Sequence, residues 1–366
     1  MAKLYVKFLL GILLIAGVSV AYFCPLLKKF PALSGPYAVG VQAYHLIDTE
    51  RTDSRTSSRK RELMVRLYYP SASNKYVEPC YAYIPNKLEA LKSLKAQESY
   101  IPELFWNCFL SGIKSYAESQ ATINPEKNSY PVIFFLPGIG SLNLYSYYLE
   151  QLASEGFIVA ALEIPFDTES VIFPENRVVR LDPAFKQAIK SGNREKIYEY
   201  RTRSHYEWLA DAQFVVEYLE KLTQMSNSQF YRKLNLDKLG VLGHSHGGAV
   251  ALDLCARDAR VKAGIDMDGW TKTITITPEL NKPFLFLLNQ EGLSDINYFY
   301  GANGSTVHRC CIPGAGHGAF SDLIFLKWPL PQLLGIVTGD ARKVQQEISE
   351  RVINFFKKNF FIEINV

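Results

Sequence analysis

Gly243-His244-Ser245-His246-Gly247 sets a serine between two histidines and two glycines, after the apolar run "LGV" and before the helix-like "AVALDLC". The pentapeptide fits G-x-S-x-G, a strained turn from strand to helix that exposes the serine hydroxyl. Side chains at Gly243 and Gly247 would collide where the backbone doubles back, and Gly248 with Ala249 lets the following helix pack close to the strand. A serine at its free pKa is a weak nucleophile, so it needs a base, and the base needs an orienting acid. In this setting they follow in the order serine, acid, histidine, each just past a strand end.

Both partners are present downstream. "VKAGI" is followed by Asp266-Met267-Asp268-Gly269-Trp270, and "HRCCIPG" by Ala315-Gly316-His317-Gly318-Ala319-Phe320. His317 sits in a small-residue loop and is the histidine placed to act as base; His45 and His308 fall inside strand-like runs and His205 at the start of a helix. Asp268 is the preferred acid because it is nearer the loop and precedes a glycine. Asp266 remains the alternative, since a continuing strand would point both to one face. Two ionised carboxylates near the imidazole would raise the His317 pKa and move the low-pH limit of activity upward. A tetrahedral intermediate also needs two backbone donors. The His246 amide follows the serine directly, and the Ile139 amide lies in the glycine-flanked "PGIG" after "YPVIFFL". A zinc site from His244 and His246 is the weaker chemistry, because the turn sends such neighbours apart and no HExxH-type partner lies nearby. No metal or organic cofactor is implied.

The elements that must position these residues can be read from the hydrophobic pattern. "GPYAVGVQAYHLID" and "ELMVRLYYPS" read as strands joined by the polar "TERTDSRTSSRKR", whose arginines read as a solvated loop. In "IPNKLEALKSLKAQESYIPELFWNCFLSGIKSYAES", Ile101, Leu104, Phe105, Phe109 and Ile113 recur at helical spacing, with Trp106 and Leu110 widening the apolar face. Such a helix either packs on the sheet or faces lipid near the site mouth. From Tyr130 onward, "YPVIFFLPG", "FIVAALEIP", "KLGVLGH", "VKAGIDMDGW", "KPFLFLLNQE" and "STVHRCC" are strands. Helices over "SLNLYSYYLEQLASEG", "YEWLADAQFVVEYLEKLTQ", "GGAVALDLCARD" and "ARKVQQEISERVINFFKKNF" separate or follow them. Continuous apolar strands alternating with helices imply an α/β fold with a mainly parallel sheet covered on both faces. Its ligands would sit at the carboxyl ends of the strands.

The 366 residues suffice for a substantial core, and 40 Lys and Arg against 36 Asp and Glu leave too small an excess for a dedicated nucleic-acid binder. Tyr and Phe at 22 each suit a protein that handles apolar ligands, or one with a large aromatic core. At the start, Lys3 and Lys7 precede an apolar stretch from Phe8 to Phe23. Residues 1–30 read as an export signal, either cleaved after Ser19-Val20-Ala21 or retained as an anchor, with residues 31–366 as one domain outside the cytoplasm. Beyond Cys24 in the leader, Cys80, Cys108, Cys255, Cys310 and Cys311 make an odd set. Cys80 with Cys108 is the disulfide to test first, and the vicinal pair reads as buried thiols.

With these residues in place, the chain resembles the platelet-activating factor acetylhydrolase family, plasma and intracellular type II serine esterases with an α/β-hydrolase fold. The stretches that carry the resemblance run from about Gly35 to the last helix and include "GPYAVG", "YPVIFFLPGIG", "EGFIVAALE", "GHSHGG", "GIDMDGW" and "GHGAFSDL". By resemblance the nucleophile falls on Ser245, the acid on Asp268, the base on His317 and the oxyanion amides on Ile139 and His246. Family members remove a short or oxidised sn-2 acyl chain from phospholipids without calcium, which makes a phospholipid or other lipid ester the expected substrate, with membrane-surface contact. The chain departs from the family pattern at Leu136-Pro137-Gly138 before the oxyanion loop, at Asp266 in place of an apolar residue, and over 166–194 beside the expected acyl pocket. A related hydrolase for soluble short-chain esters or polyesters is the enzymatic alternative. A binding protein on a retired hydrolase fold is the other, although an intact set of serine, acid, histidine and glycines has no use there.

Overall fold

The computed structural model describes residues 28–56, 58–74, 81–82, 114–140, 142–274, 279–289 and 306–361. The leader through residue 27, the helix-like run carrying Ile101 to Ile113, and the cysteines Cys24, Cys80 and Cys108 lie outside the described residues.

A nine-stranded sheet organises the chain. Its strands are β1 (Ala38–Thr52), β2 (Lys60–Ser71), β3 (Ala117–Ser119), β4 (Tyr130–Leu136), β5 (Ile158–Glu163), β6 (Leu234–His244), β7 (Val261–Met267), β8 (Phe284–Leu288) and β9 (Val307–Cys311). They lie in the order β9-β8-β7-β6-β4-β5-β2-β1-β3. All neighbours pair in parallel except β2, which is antiparallel to both β1 and β5. The main helices are α1 (Ser146–Ser154), α2 (Pro183–Ser191), α3 (Arg194–Leu222), α4 (His246–Arg257) and α5 (Ala341–Phe360).

Period-two alternation sorts the core strands into two layers. In β4, Ile133 and Phe135 join α1 and α5 through Leu149, Leu152, Ile348 and Phe356. Val132, Phe134 and Leu136 face the other way, onto α3 and α4 through Trp208, Val215, Val250 and Leu254. Every residue of β4 and β5 is buried, as expected of strands covered on both faces. The chain leaves β4 to form β5 on one side, then returns through α3 to form β6 on the other. This reversal of direction opens a crevice beyond the ends of β4 and β6. The architecture is the α/β-hydrolase fold.

Three expectations are corrected. Helix α3 begins at Arg194 rather than near Tyr206, because Asn193 caps it by accepting the Lys196 amide at 3.0 Å. His205 therefore lies mid-helix and fully buried, with Nε2 3.0 Å from Asp253 Oδ2. Two arginines of the polar stretch joining β1 and β2 are not solvated, although Arg59 is exposed as expected: Arg61 is 4% exposed and bound to Asp53 at 2.7 Å and Asp211 at 2.5 Å. Arg55 likewise meets Asp167 at 2.8 Å and also Glu207. Long-range acidic partners drew these cations inward. Finally, Cys310 and Cys311 are free and half-buried on β9 rather than fully enclosed.

Candidate active site

Strand β6 ends at His244 and α4 starts at His246, so Ser245 alone makes the turn, at φ 57° and ψ −122°. Its amide donates to the Met267 carbonyl at 3.0 Å, tying the turn to β7. A Cβ on Gly243 would strike the Gly247 backbone, and one on Gly247 would strike the carbonyls of Leu136 and Pro137. Only glycine lets the turn close against the end of β4.

His317 opens a short 3-10 turn, His317–Phe320, in the loop after β9. Its Nε2 stands 3.0 Å from Ser245 Oγ and its Nδ1 2.6 Å from Asp268 Oδ2. Asp268 sits just past β7 at φ 51°, its amide bound to the Leu287 carbonyl at 2.7 Å. Its carboxylate also accepts the Asn289 amide at 3.1 Å and the Asn289 side-chain NH₂ at 2.9 Å. With Nδ1–H donated to the carboxylate, Nε2 is left to accept the serine proton. The arrangement can deprotonate a hydroxyl and hold the resulting imidazolium against a negative charge.

The two aspartates occupy different environments. Strand β7 ends at Met267 and the positive φ of Asp268 breaks the alternation, so the two side chains do not share a face. Asp266 is fully buried, and a Cβ on either Gly248 or Gly269 would fall on its carboxyl. Burial first, and the charge of Asp268 second, push its carboxyl well above the usual range. Burial thus disfavours a second ionised carboxylate beside the imidazole.

Residues that spacing did not reveal complete the surroundings. The Gly138 amide donates to the Tyr145 hydroxyl at 3.0 Å, and that hydroxyl lies 2.8 Å from His244 Nδ1. His244 Nε2 is 3.1 Å from the His317 carbonyl. A carbonyl can only accept, so Nε2 carries the proton and Nδ1 accepts from Tyr145. Burial, with the charge of His317 second, pushes the His244 pKa well down and keeps the ring neutral, as this chain of bonds requires. The loop after β4 is thereby linked through two buried rings to the backbone of His317. Tyr145 is one of several tyrosines in "LYSYY", and nothing in its neighbours marks it.

His246 turns the other way. Its ring is buried against Trp208, with centroids 4.7 Å apart, and near His205 at 6.0 Å. The two histidines flanking Ser245 thus point to different neighbours and share no ligand position. As the first residue of α4, His246 offers an amide without an intrahelical partner. With the Gly138 amide engaged by Tyr145, Ile139 carries the next amide in that loop, and it makes no hydrogen bond among the described residues.

Known proteins share this chain's pattern. A platelet-activating factor acetylhydrolase of Gallus gallus is 25% identical over 353 residues, covering 87% of this chain and 79% of the relative. A probable 1-alkyl-2-acetylglycerophosphocholine esterase of Arthroderma benhamiae is 24% identical over 264 residues, covering 69% and 61%. Among solved structures, a ferulic acid esterase from Streptomyces cinnamoneus superposes with a TM-score of 0.68 at 26% identity, covering 90% of this chain and 92% of that one. The family described as platelet-activating factor acetylhydrolase, isoform II, matches residues 26–203 and 211–363, and the chain belongs to that family.

Proposed function

We propose that the protein is a serine carboxylic-ester hydrolase in which Ser245 is the nucleophile, His317 the base and Asp268 its orienting acid. The observation that carries this reading is the position of His317, 3.0 Å from the serine oxygen and 2.6 Å from the carboxylate. His317 takes the serine proton as Oγ attacks the ester carbonyl, and the new imidazolium is stabilised by Asp268. The amides of Ile139 and His246 receive the oxyanion. Collapse expels the alcohol, which takes the proton from His317 Nε2, and leaves an acyl-serine. Water then attacks with His317 again as base, releasing the acid and restoring the hydroxyl.

Family membership supports a phospholipid with a short or oxidised sn-2 acyl chain as the substrate. The esterase neighbour supports the alternative of smaller, soluble esters or polyesters. A comparison of kcat/KM on an acetyl-phosphocholine ether lipid and on a simple aryl acetate separates them, with the lipid expected to be preferred. Rapid stoichiometric labelling by an organophosphonate, lost in Ser245→Ala, is expected; folded protein that takes no label would instead be a binding module.

The leader supports export, and the apolar stretch Phe8 to Phe23 would bring the domain to a membrane surface if retained. No helix among the described residues is long and apolar enough to cross a membrane. N-terminal sequencing of the mature protein decides the matter: a start just after Ala21 means cleavage, and an intact Met1 in the membrane fraction means anchoring.

A further inference from the structure

One face of α3 borders the site. Tyr198, Arg201, His205 and Trp208 recur at helical spacing, and the latter two pack on His246. The first two meet Trp270, just beyond Asp268. The guanidinium of Arg201 lies 4.5 Å from the Trp270 ring centroid, and Tyr198 meets the same ring edge-on at 6.2 Å. The Trp270 amide donates to the carbonyl of Ser245 at 3.3 Å, so this aromatic plate is fixed to the backbone of the nucleophile itself.

Arg201 is the unusual member. It makes no hydrogen bond or ion pair among the described residues, and its Nε is buried without a partner. Burial alone pulls its pKa down, with no carboxylate acting in the opposite direction. Its charge is near enough to help depress the His246 pKa, after burial and His205. The acids at the end of β7 do not serve it: Asp268 is engaged by His317 and Asn289, and burial favours the neutral form of Asp266. Elsewhere this chain matches its buried guanidinium groups with carboxylates, Arg66 with Glu163 at 2.6 Å being a further instance. A partly desolvated guanidinium, held over an indole and without an anion among the described residues, is prepared for one from outside.

We propose that Arg201, stacked on Trp270, is a specificity-determining residue that binds an anionic oxygen group of the ester substrate. Two parts of a lipid offer that chemistry: the phosphodiester of the head group and a carboxylate ending an oxidised acyl chain. The proposal rests on the ester-hydrolase reading and adds to it the residue that would select charged esters over uncharged ones.

The test compares Arg201→Gln, Arg201→Lys and the unaltered protein on matched esters by kcat/KM. One pair is 1-alkyl-2-acetylglycerophosphocholine against 1-alkyl-2-acetylglycerol. The other is a phosphocholine lipid whose sn-2 chain ends in carboxylate against the same lipid ending in methyl. Loss of a charge-assisted bond is worth about 10–100-fold. Arg201→Gln is expected to lower the charged-to-uncharged ratio by that much in the first pair if phosphate is bound, or in the second if carboxylate is. Arg201→Lys, which keeps charge without the planar fork, is expected to fall between. Ratios unchanged within twofold in both pairs, for variants whose melting matches the parent, overturn the proposal. Failure of the ester-hydrolase reading looks different: the unaltered protein would hydrolyse none of these esters, nor an aryl acetate.

Discussion

Two groups of arginines, on different sides of the same helix α3, are treated in opposite ways. Beneath the turn between β1 and β2, Arg61 is enclosed with Asp53 and Asp211, and Arg55 with Asp167 and Glu207. Burial alone would lower the Arg61 pKa, but the charge and hydrogen bonds of Asp211, then of Asp53, raise it instead. Beside the serine, Arg201 is left with an aromatic ring and, among the described residues, no acid. Trp208 belongs to both regions, donating its indole N–H to Asp167 at 2.9 Å while packing on His246. The contrast teaches that closed charge pairs hold α3 against the sheet, whereas the site retains groups whose partners are absent or shared with a reacting atom.

If that division is correct, changes on the two sides should separate activity from stability. The largest effect belongs to Ser245→Ala, which should lower kcat by roughly 10⁴- to 10⁶-fold with no loss in melting temperature. Asp268→Asn should cost about 10⁴-fold in kcat, because the amide no longer holds the required histidine tautomer. On the other side, Arg61→Ala removes the buried guanidinium shared by Asp53 and Asp211, leaving Asp211 only Arg51 at 2.9 Å, and should destabilise the fold by roughly 3–5 kcal/mol in denaturant titrations, with kcat per folded molecule little changed. A large kcat loss without destabilisation would break the division. Tyr145→Phe tests the bridge between the loop after β4 and His317. Loss of one hydroxyl bonded to both Gly138 and His244 should reduce kcat about tenfold, and KM much less.

The remaining prediction concerns a buried carboxyl that belongs to neither group. Glu150 accepts the Ser115 hydroxyl at 2.5 Å and the Tyr116 amide at 3.0 Å, and burial pushes its pKa up to about 7. A raised folded-state pKa contributes stability that is present below the unfolded value and is lost as pH rises through the folded one. The melting temperature of the native protein should therefore fall relative to Glu150→Gln between about pH 4.5 and about 7. Parallel melting curves for the two proteins across that interval would remove Glu150 from the pH response.

What the sequence disclosed followed from local sterics. Gly243, Gly247 and Gly248 announced the turn because a side chain there has nowhere to go, and the apolar runs announced the parallel strands. The glycine after Asp268, which favours it over Asp266 as the acid, also makes room for the buried Asp266 carboxyl. Long-range partnerships stayed hidden. Tyr145 meets His244 from 99 positions away, and Arg61 meets Asp211 from 150, so no window along the chain contains both members. The buried arginines read as solvated for the same reason, since the counter-charges that enclose a run of charges lie far along the chain.

Ser245 and Asp268 both hold positive φ, at 57° and 51°, although neither is glycine. Backbone held in such sparsely populated regions costs of order 1–3 kcal/mol at each position. Durability and turnover therefore compete at the serine. Ser245→Gly, unable to react, should melt at a higher temperature than the active protein, and the difference between the two melts measures how much resilience the fold gives up to keep its hydroxyl exposed.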